Sequence, residues 1–297
     1  MSQDQPSKSQ QLQGQPEGYL QELATATDQA RVSEVLQTYL NTLSQFHRYS
    51  WNNIILILMQ RPEATRVAGY KTWQKLGRQV ERGEKGIAIF CPLLKKVTDE
   101  HEQEETRLVG FRVGHVFDVT QTTGEPLPAP PTWTNAGQDG AELARFLKRV
   151  AQSLKITVRT GILPGAAQGA SEGGSITLRH GLSPKAQAST LAHELAHELL
   201  HQRQHAAAAP AAETQARQQR EIEAEAAAYA ICRHFGLEIN SPNYLALWAT
   251  DSTAIQARLE RIAYAAKRII QLVEEIARSA PAQATSEPES LPLARAA

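Results

Sequence analysis

Apolar residues recur at helical spacing from Leu20 to Phe46, where Val32, Val35, Leu36, Leu40 and Leu43 fall on one face. A second helix is predicted through Trp51-Asn52-Asn53-Ile54-Ile55-Leu56-Ile57-Leu58-Met59, with Ser50 or Asn52 as its cap and Pro62 at or just beyond its end. Tyr70 to Leu76 reads as a short helix and Val80 to Gly83 as a turn. Gly86 to Phe90 reads as a strand ended by Pro92. From Arg107 to Thr120 apolar and polar positions alternate through Leu108, Phe111, Val113, Val116, Phe117 and Val119, predicting one or two strands. The first half is therefore α+β.

Gly124 to Gly140 is rich in Pro, Gly, Thr and Asn and reads as a linker. A helix follows from Ala141 to Leu154, then a strand from Ile156 to Arg159 and a glycine-rich turn from Gly161 to Gly174. Ser175 to Leu178 is a short strand, and a last helix runs from about Ser252 to Arg278. The expected order is a disordered 1–17, a domain at 18–123, a linker at 124–140, a second domain at 141–278 and a disordered tail at 279–297.

The 297 residues are 41% hydrophobic and carry no formal net charge, so no bulk basic signal points to nucleic acid. The charge is unevenly spread: Arg61 to Lys96 holds nine Lys/Arg against three Asp/Glu. Cys91 and Cys232 form no C-x-x-C pair, which argues against a disulfide framework and fits a reducing cytosol. The Gln/Ser-rich start lacks the apolar core of a signal peptide, and no run of 18 apolar residues offers a membrane span. A cytoplasmic location is the expectation.

The richest chemistry lies in Thr190-Leu-Ala-His193-Glu194-Leu-Ala-His197-Glu198-Leu-Leu-His201. His193 and His197 stand four residues apart, so on a helix their imidazoles point the same way, ~6 Å apart along the axis. Two nitrogens so placed can reach one Zn²⁺ at ~2.0–2.1 Å, and Glu194 can act as general base toward a water on the metal. The uncharged flanks Leu191, Ala192, Leu195, Ala196 and Leu199 suit a buried helix better than two surface histidines on a solvated one. His197-Glu198-Leu199-Leu200-His201 fits the same pattern one turn on. One ion cannot take all three histidines, and the first register is preferred because the chain turns polar after His201, which reads as a helix-end cation.

A third ligand is needed. The segment Arg220-Glu221-Ile222-Glu223-Ala224-Glu225-Ala226-Ala227-Ala228-Tyr229 is the good supplier, with Glu221, Glu225 and Ala228 on one helix face and Glu223 on another. The residues alone leave Glu221 and Glu225 both open. An H-E-x-x-H helix followed by a helical Glu resembles the gluzincin branch of zinc peptidases, and the E-x-E-A form resembles the ImmA/IrrE type. That resemblance implies Glu221 as ligand and Glu225 as a polar residue orienting a ligand histidine. It also implies Zn²⁺, although a His₂Glu site accepts Mn²⁺ or Co²⁺ as well. In zincins the strand before the metal helix, here Ser175 to Leu178, often adds an extended substrate to the sheet edge. Tyr229 or Tyr244 are candidate oxyanion donors, against the plainer reading of packed tyrosines.

Between Phe46 and Pro92 aromatics, amides and cations are interleaved, as single-strand binding requires: Tyr49, Asn53, Arg66, Tyr70, Lys71, Trp73, Lys75, Arg78, Arg82 and Lys85. Trp51 and Trp73 fit a core equally well on composition alone. The wording of the segment, from Phe46-His-Arg-Tyr49-Ser50-Trp-Asn52-Asn53 through Gly69-Tyr70-x-x-Trp73 to Gly83-x-Lys85-Gly86-Ile87, resembles the N-terminal domain of ArdC-type antirestriction proteins, which join it to a zincin domain. The resemblance implies single-stranded DNA binding and protection of incoming plasmid DNA from host restriction during conjugation, with a possible protein substrate linked to restriction. Two alternatives stay open: a peptidase whose first domain binds a protein partner, and a DNA-binding protein whose metal domain cleaves nothing.

Overall fold

The computed structural model describes residues 8–26, 28–98, 104–127, 140–201, 210–240, 247–249 and 251–279. The N-terminal helices are α1 (Lys8–Thr25), α2 (Gln29–Phe46) and α3 (Trp51–Gln60). Asp28 starts α2 by accepting the Ala30 and Arg31 N–H groups at 3.0 and 3.1 Å, and Ser50 caps α3 through the Asn53 N–H. The expectation of disorder over 1–17 is corrected for residues 8–17, which form the first turns of α1 despite Pro16. Leu12 and Leu20, on one face, are buried, and α1 packs on the last described helix, Ser252–Ser279. Residues 1–7 lie outside the described residues.

A short strand β1 (Val67–Gly69) leads into α4 (Tyr70–Lys75) and β2 (Arg78–Val80). Then comes a long hairpin of β3 (Ile87–Thr98) and β4 (Glu104–Asp118), a single 3₁₀ turn (Val119–Gln121) and β5 (Thr122–Gly124). Strand order is β1-β4-β3 in one antiparallel sheet, and β2 pairs with β5. Pro92 does not end β3 as predicted. The N–H groups of Ala88 and Phe90 point away from β4, toward the amide oxygens of Gln60 and Asn53 at 2.9 Å. By alternation the nitrogen of Pro92 faces the same outer edge, so no ladder bond is lost.

The second half begins with α5 (Ala141–Ser153) and holds a sheet ordered β6-β8-β7, with β6 (Thr157–Gly161) parallel and β7 (Gly169–Ser171) antiparallel to β8 (Ser175–Arg179). Among the described residues three long helices follow: α6 (Pro184–Leu200), α7 (Pro210–His234) and α8 (Ser252–Ser279). The glycine-rich segment thus hides a strand, β7. Ser175 to Leu178 is central rather than an edge, because β7 folds back over it. Most of the predicted linker, 128–139, and the tail from 280 lie outside the described residues.

The two halves share one apolar core. Leu36, Leu40 and Ile55 belong to the same buried cluster as Leu191, Ile231 and Ile269. Helix α2 packs on α7, and α1 on α8. Each fully buried aliphatic side chain here contributes ~1.5–3 kcal/mol, so this contact helps hold both halves.

Candidate metal centre and nucleic-acid face

Ser183 caps α6 and Pro184 occupies its first turn. Leu191, Ala192, Leu195 and Ala196 are fully buried, which fixes the roll of the helix and turns His193 and His197 toward α7. Helix α7 packs on α6, and its small residues Ala224, Ala226, Ala227 and Ala228 are all buried. His193 Nε2 and His197 Nε2 are 3.0 Å apart, and Glu221 Oε2 lies 3.3 and 3.4 Å from them. The ligand-to-ligand edge of a tetrahedral site with ~2.0–2.1 Å bonds is ~3.3–3.4 Å. Two imidazoles and a carboxylate at these separations therefore fit a divalent ion. Contact with the two histidines holds Glu221 well below the usual carboxylate range, so it is ionised and ready to ligate.

Glu194 is buried at the floor of an open cleft of about 950 Å³. Burial raises its pKa, opposed by His193 and His197, while Glu221 adds to the rise and a Ser171 hydrogen bond opposes it. Gly169 closes over it: a Cβ there would sit 2.6 Å from Glu194 Oε1 and 2.5 Å from Thr190 Cγ2. The cleft wall is β7, the outer strand of its sheet, and the opposite wall carries Arg217, Arg220, Glu221 and Glu225.

Several other candidates fall elsewhere. Glu198, the glutamate of the second register, accepts the Gly173 and Gly174 N–H groups at 3.0 and 2.8 Å and clasps the β7–β8 turn. His201 ends α6 but is no cation: burial, then His197 and the nearby arginines, lower its pKa to about 4. Glu223 is buried against Arg261 on α8, with His201 Nε2 3.7 Å away. Glu225 faces the cleft, and among the described residues it makes no hydrogen bond to His193 or His197. Tyr229 is corrected as an oxyanion donor, because its hydroxyl donates to Asn41 of α2 at 3.1 Å, outside the cleft. Tyr244 lies outside the described residues.

The N-terminal candidates divide in the same way. Trp73 is 2% exposed and donates to the Phe117 carbonyl at 2.9 Å, so it is core and no stacking platform. Asn53 is committed to both backbone groups of Phe90. Arg78 spends its guanidinium on Thr122, Gly124 and Glu125. Tyr49 is half-buried against Phe46. These four are corrected from nucleic-acid contacts to structural groups. Arg66, Tyr70, Lys71, Lys75, Arg82 and Lys85 are exposed. A different aromatic row stands on the outer face of the hairpin. The register pairs Pro92 with Phe111 and Phe90 with Val113, and His115 and Phe117 continue that face. Phe111 is 55% exposed, and its ring meets Phe90 edge-on at 6.2 Å. Phe117 shares a shallow pocket with Tyr70 and Arg82. The alternation over Arg107 to Thr120 carried this signal, since Phe111, Val113, His115 and Phe117 are spaced by two.

An H-E-x-x-H helix facing a glutamate-bearing helix, beside a small sheet with an open outer strand, defines a metallopeptidase-like unit joined to an α+β module. Comparison with known proteins places both parts. Residues 21–119 match the N-terminal domain of anti-restriction factor ArdC, and residues 151–233 match the IrrE N-terminal-like peptidase domain. The chain is an ArdC-type two-domain protein. It is 23% identical over 264 residues to an uncharacterized protein of Bacillus anthracis, covering 73% of this chain and 44% of that one, so it spans less than half of that relative's length. Among solved structures, the metal-free antirestriction ArdC protein from the R388 plasmid is 20% identical, with 77% of this chain and 85% of that chain covered at a TM-score of 0.45. The Mn(II)-bound structure of that protein is 18% identical, covering 78% and 90%, at a TM-score of 0.44.

Proposed function

We propose that the chain is an antirestriction protein that binds single-stranded DNA and carries a metal-dependent peptidase centre, acting in the cytoplasm on incoming plasmid DNA during conjugation. The observation that carries the enzymatic part is the convergence of His193, His197 and Glu221 to within 3.4 Å beside a buried Glu194. These three residues would hold the ion, with Zn²⁺ first and Mn²⁺ or Co²⁺ as alternatives; Mn(II) is the ion named for the R388 protein. When bound, such an ion supplies Lewis acidity toward a carbonyl and toward water. Glu194 takes a proton from the attacking water at its carboxylate and returns it to the leaving amine, a task its raised pKa favours. Ser171 and Gly169 hold that carboxylate in place. The outer edge of β7 offers backbone groups to an extended peptide. Glu225 remains within reach as the alternative ligand.

On the N-terminal module, Phe111, Phe90 and Phe117 present ring surface for bases. Tyr70, Arg82 and the exposed Arg66, Lys71, Lys75 and Lys85 supply the polar and cationic surround. No described helix is long and apolar enough to cross a membrane. A second reading, a partner-binding first module, draws on the exposed Leu94, Leu108 and Val109 near the hairpin tip. A salt titration of oligothymidine binding to the full chain separates the two: log affinity falling linearly with log salt supports DNA, and absent binding supports the protein partner. Incubation with a peptide library, with Glu194→Gln as control, tests proteolysis. Cleavage in the wild type alone supports the peptidase, and no cleavage in either leaves the metal domain non-proteolytic.

A further inference from the structure

We propose that His47, His234 and Glu274 form a second divalent-metal site, away from the cleft, that ties the N-terminal helices to the peptidase-like unit. His47 follows the last residue of α2, His234 ends α7 and Glu274 lies on α8. Glu274 Oε1 is 3.7 Å from His47 Nε2 and 3.6 Å from His234 Nε2, and the three candidate ligand atoms all lie within 4.8 Å of one another. None of the three lines the cleft.

Hydrogen bonding shows what the space between them lacks. His234 Nδ1 faces the Ser44 carbonyl at 2.7 Å and donates to it. In the neutral ring the Nε2 lone pair then points at a carboxylate oxygen. Two acceptors face each other, and a cation between them removes the conflict. A ligand histidine whose other N–H is held by a backbone carbonyl is the usual arrangement around a protein-bound metal. His47 supplies the second observation. Its side chain is 5% exposed, and neither ring nitrogen has a hydrogen-bond partner. Such an orphaned buried polar group is destabilising unless something fills its lone pair.

Glu274 is prepared as well. Arg48 binds its other oxygen, Oε2, at 2.8 Å, which leaves Oε1 for the histidines. Arg48 and Lys267 place positive charge nearby and oppose a dication, although the Arg48 side chain is largely exposed and screened. Two imidazole donors and a single carboxylate select Zn²⁺ rather than Mg²⁺ or Ca²⁺, which prefer all-oxygen sites. The two carboxylate–imidazole separations exceed the ~3.3–3.4 Å edge of a tetrahedral zinc site by a few tenths of an ångström and the imidazole nitrogens lie within 4.8 Å of each other, a closure for side-chain rotation to supply.

The competing account is a proton, with an imidazolium shared against Glu274. Zinc counting decides between them. Full-length protein is loaded with Zn²⁺, dialysed against metal-free buffer and analysed for bound metal. In a His193→Ala/His197→Ala background, one equivalent should remain, and adding either His47→Gln or Glu274→Gln should remove it. Zinc should also raise the Tm of the background variant and leave the Tm of the triple variants unchanged, a comparison made within each protein and so independent of any packing loss. A folded background variant that retains no zinc overturns the proposal. So does one equivalent that survives both Glu274→Gln and His47→Gln.

Discussion

Removing Arg261 leaves a carboxylate stranded in the interior. Glu223 has a side chain 3% exposed, and Arg261 of α8 grips both its oxygens, one at 2.8 Å. Breaking a buried pair from one side costs ~3–5 kcal/mol, because the survivor keeps its desolvation penalty and loses its partner. The Arg261 side chain is 41% exposed, so water partly reaches the vacated space, and the expected cost of Arg261→Met falls to ~2–3 kcal/mol. Glu223→Met is different. It frees an arginine that can swing into solvent, and should cost no more than ~1 kcal/mol. The double Met variant removes both charges and should resemble Glu223→Met, giving a coupling of ~2–3 kcal/mol between the two positions. Urea unfolding of the metal-free protein, followed by circular dichroism, measures all three. Equal losses from the two single variants, or a double variant as unstable as Arg261→Met, would refute the reasoning.

Acid should destabilise the chelated protein. Burial, first among the causes, lowers the pKa of His47 and of His201 to about 4 from 6.5, so the fold favours their neutral forms. The unfolded chain binds more protons, and stability that is complete above pH ~6.5 is lost as pH falls toward ~4; a urea midpoint unchanged between pH 7.5 and 5 contradicts this. Phe111→Ala should weaken oligothymidine binding by ~5- to 150-fold, the equivalent of ~1–3 kcal/mol of base stacking, and Arg82→Gln should lower the salt slope by ~0.7; anisotropy titrations showing neither change would remove the hairpin face as the platform. Gly169→Ala, whose Cβ would press within 2.6 Å of Glu194, should lower the Tm and any peptide cleavage while leaving bound metal unchanged, and loss of metal in that variant would count against the packing argument.

The metal helix was legible because its chemistry is local. Four-residue spacing alone aligns His193 with His197, and the apolar flanks say which side is buried. Glu221 and Glu225 could not be separated by spacing, since both sit on the cleft side of α7; only the approach of α7 to α6 brings Glu221 to the histidines. Neither composition nor family resemblance tells a core tryptophan from a stacking one. Trp73 and Arg78 went inward through hydrogen bonds to residues more than 40 positions away. Strand β7 escaped because three small residues among glycines carry no period, and its place comes from pairing with β8. The glutamines and Pro16 of residues 8–17 suggest disorder, yet Leu12 and Leu20 suffice to anchor a helix once α8 is there to receive it.

The central claim is the identity of the third ligand at the cleft. Bound zinc should be counted in full-length wild type, Glu221→Ala, Glu225→Ala and Glu194→Gln after dialysis against metal-free buffer. The account predicts that Glu221→Ala loses one equivalent relative to wild type, while Glu225→Ala and Glu194→Gln lose none. Full retention in Glu221→Ala together with loss in Glu225→Ala would contradict it.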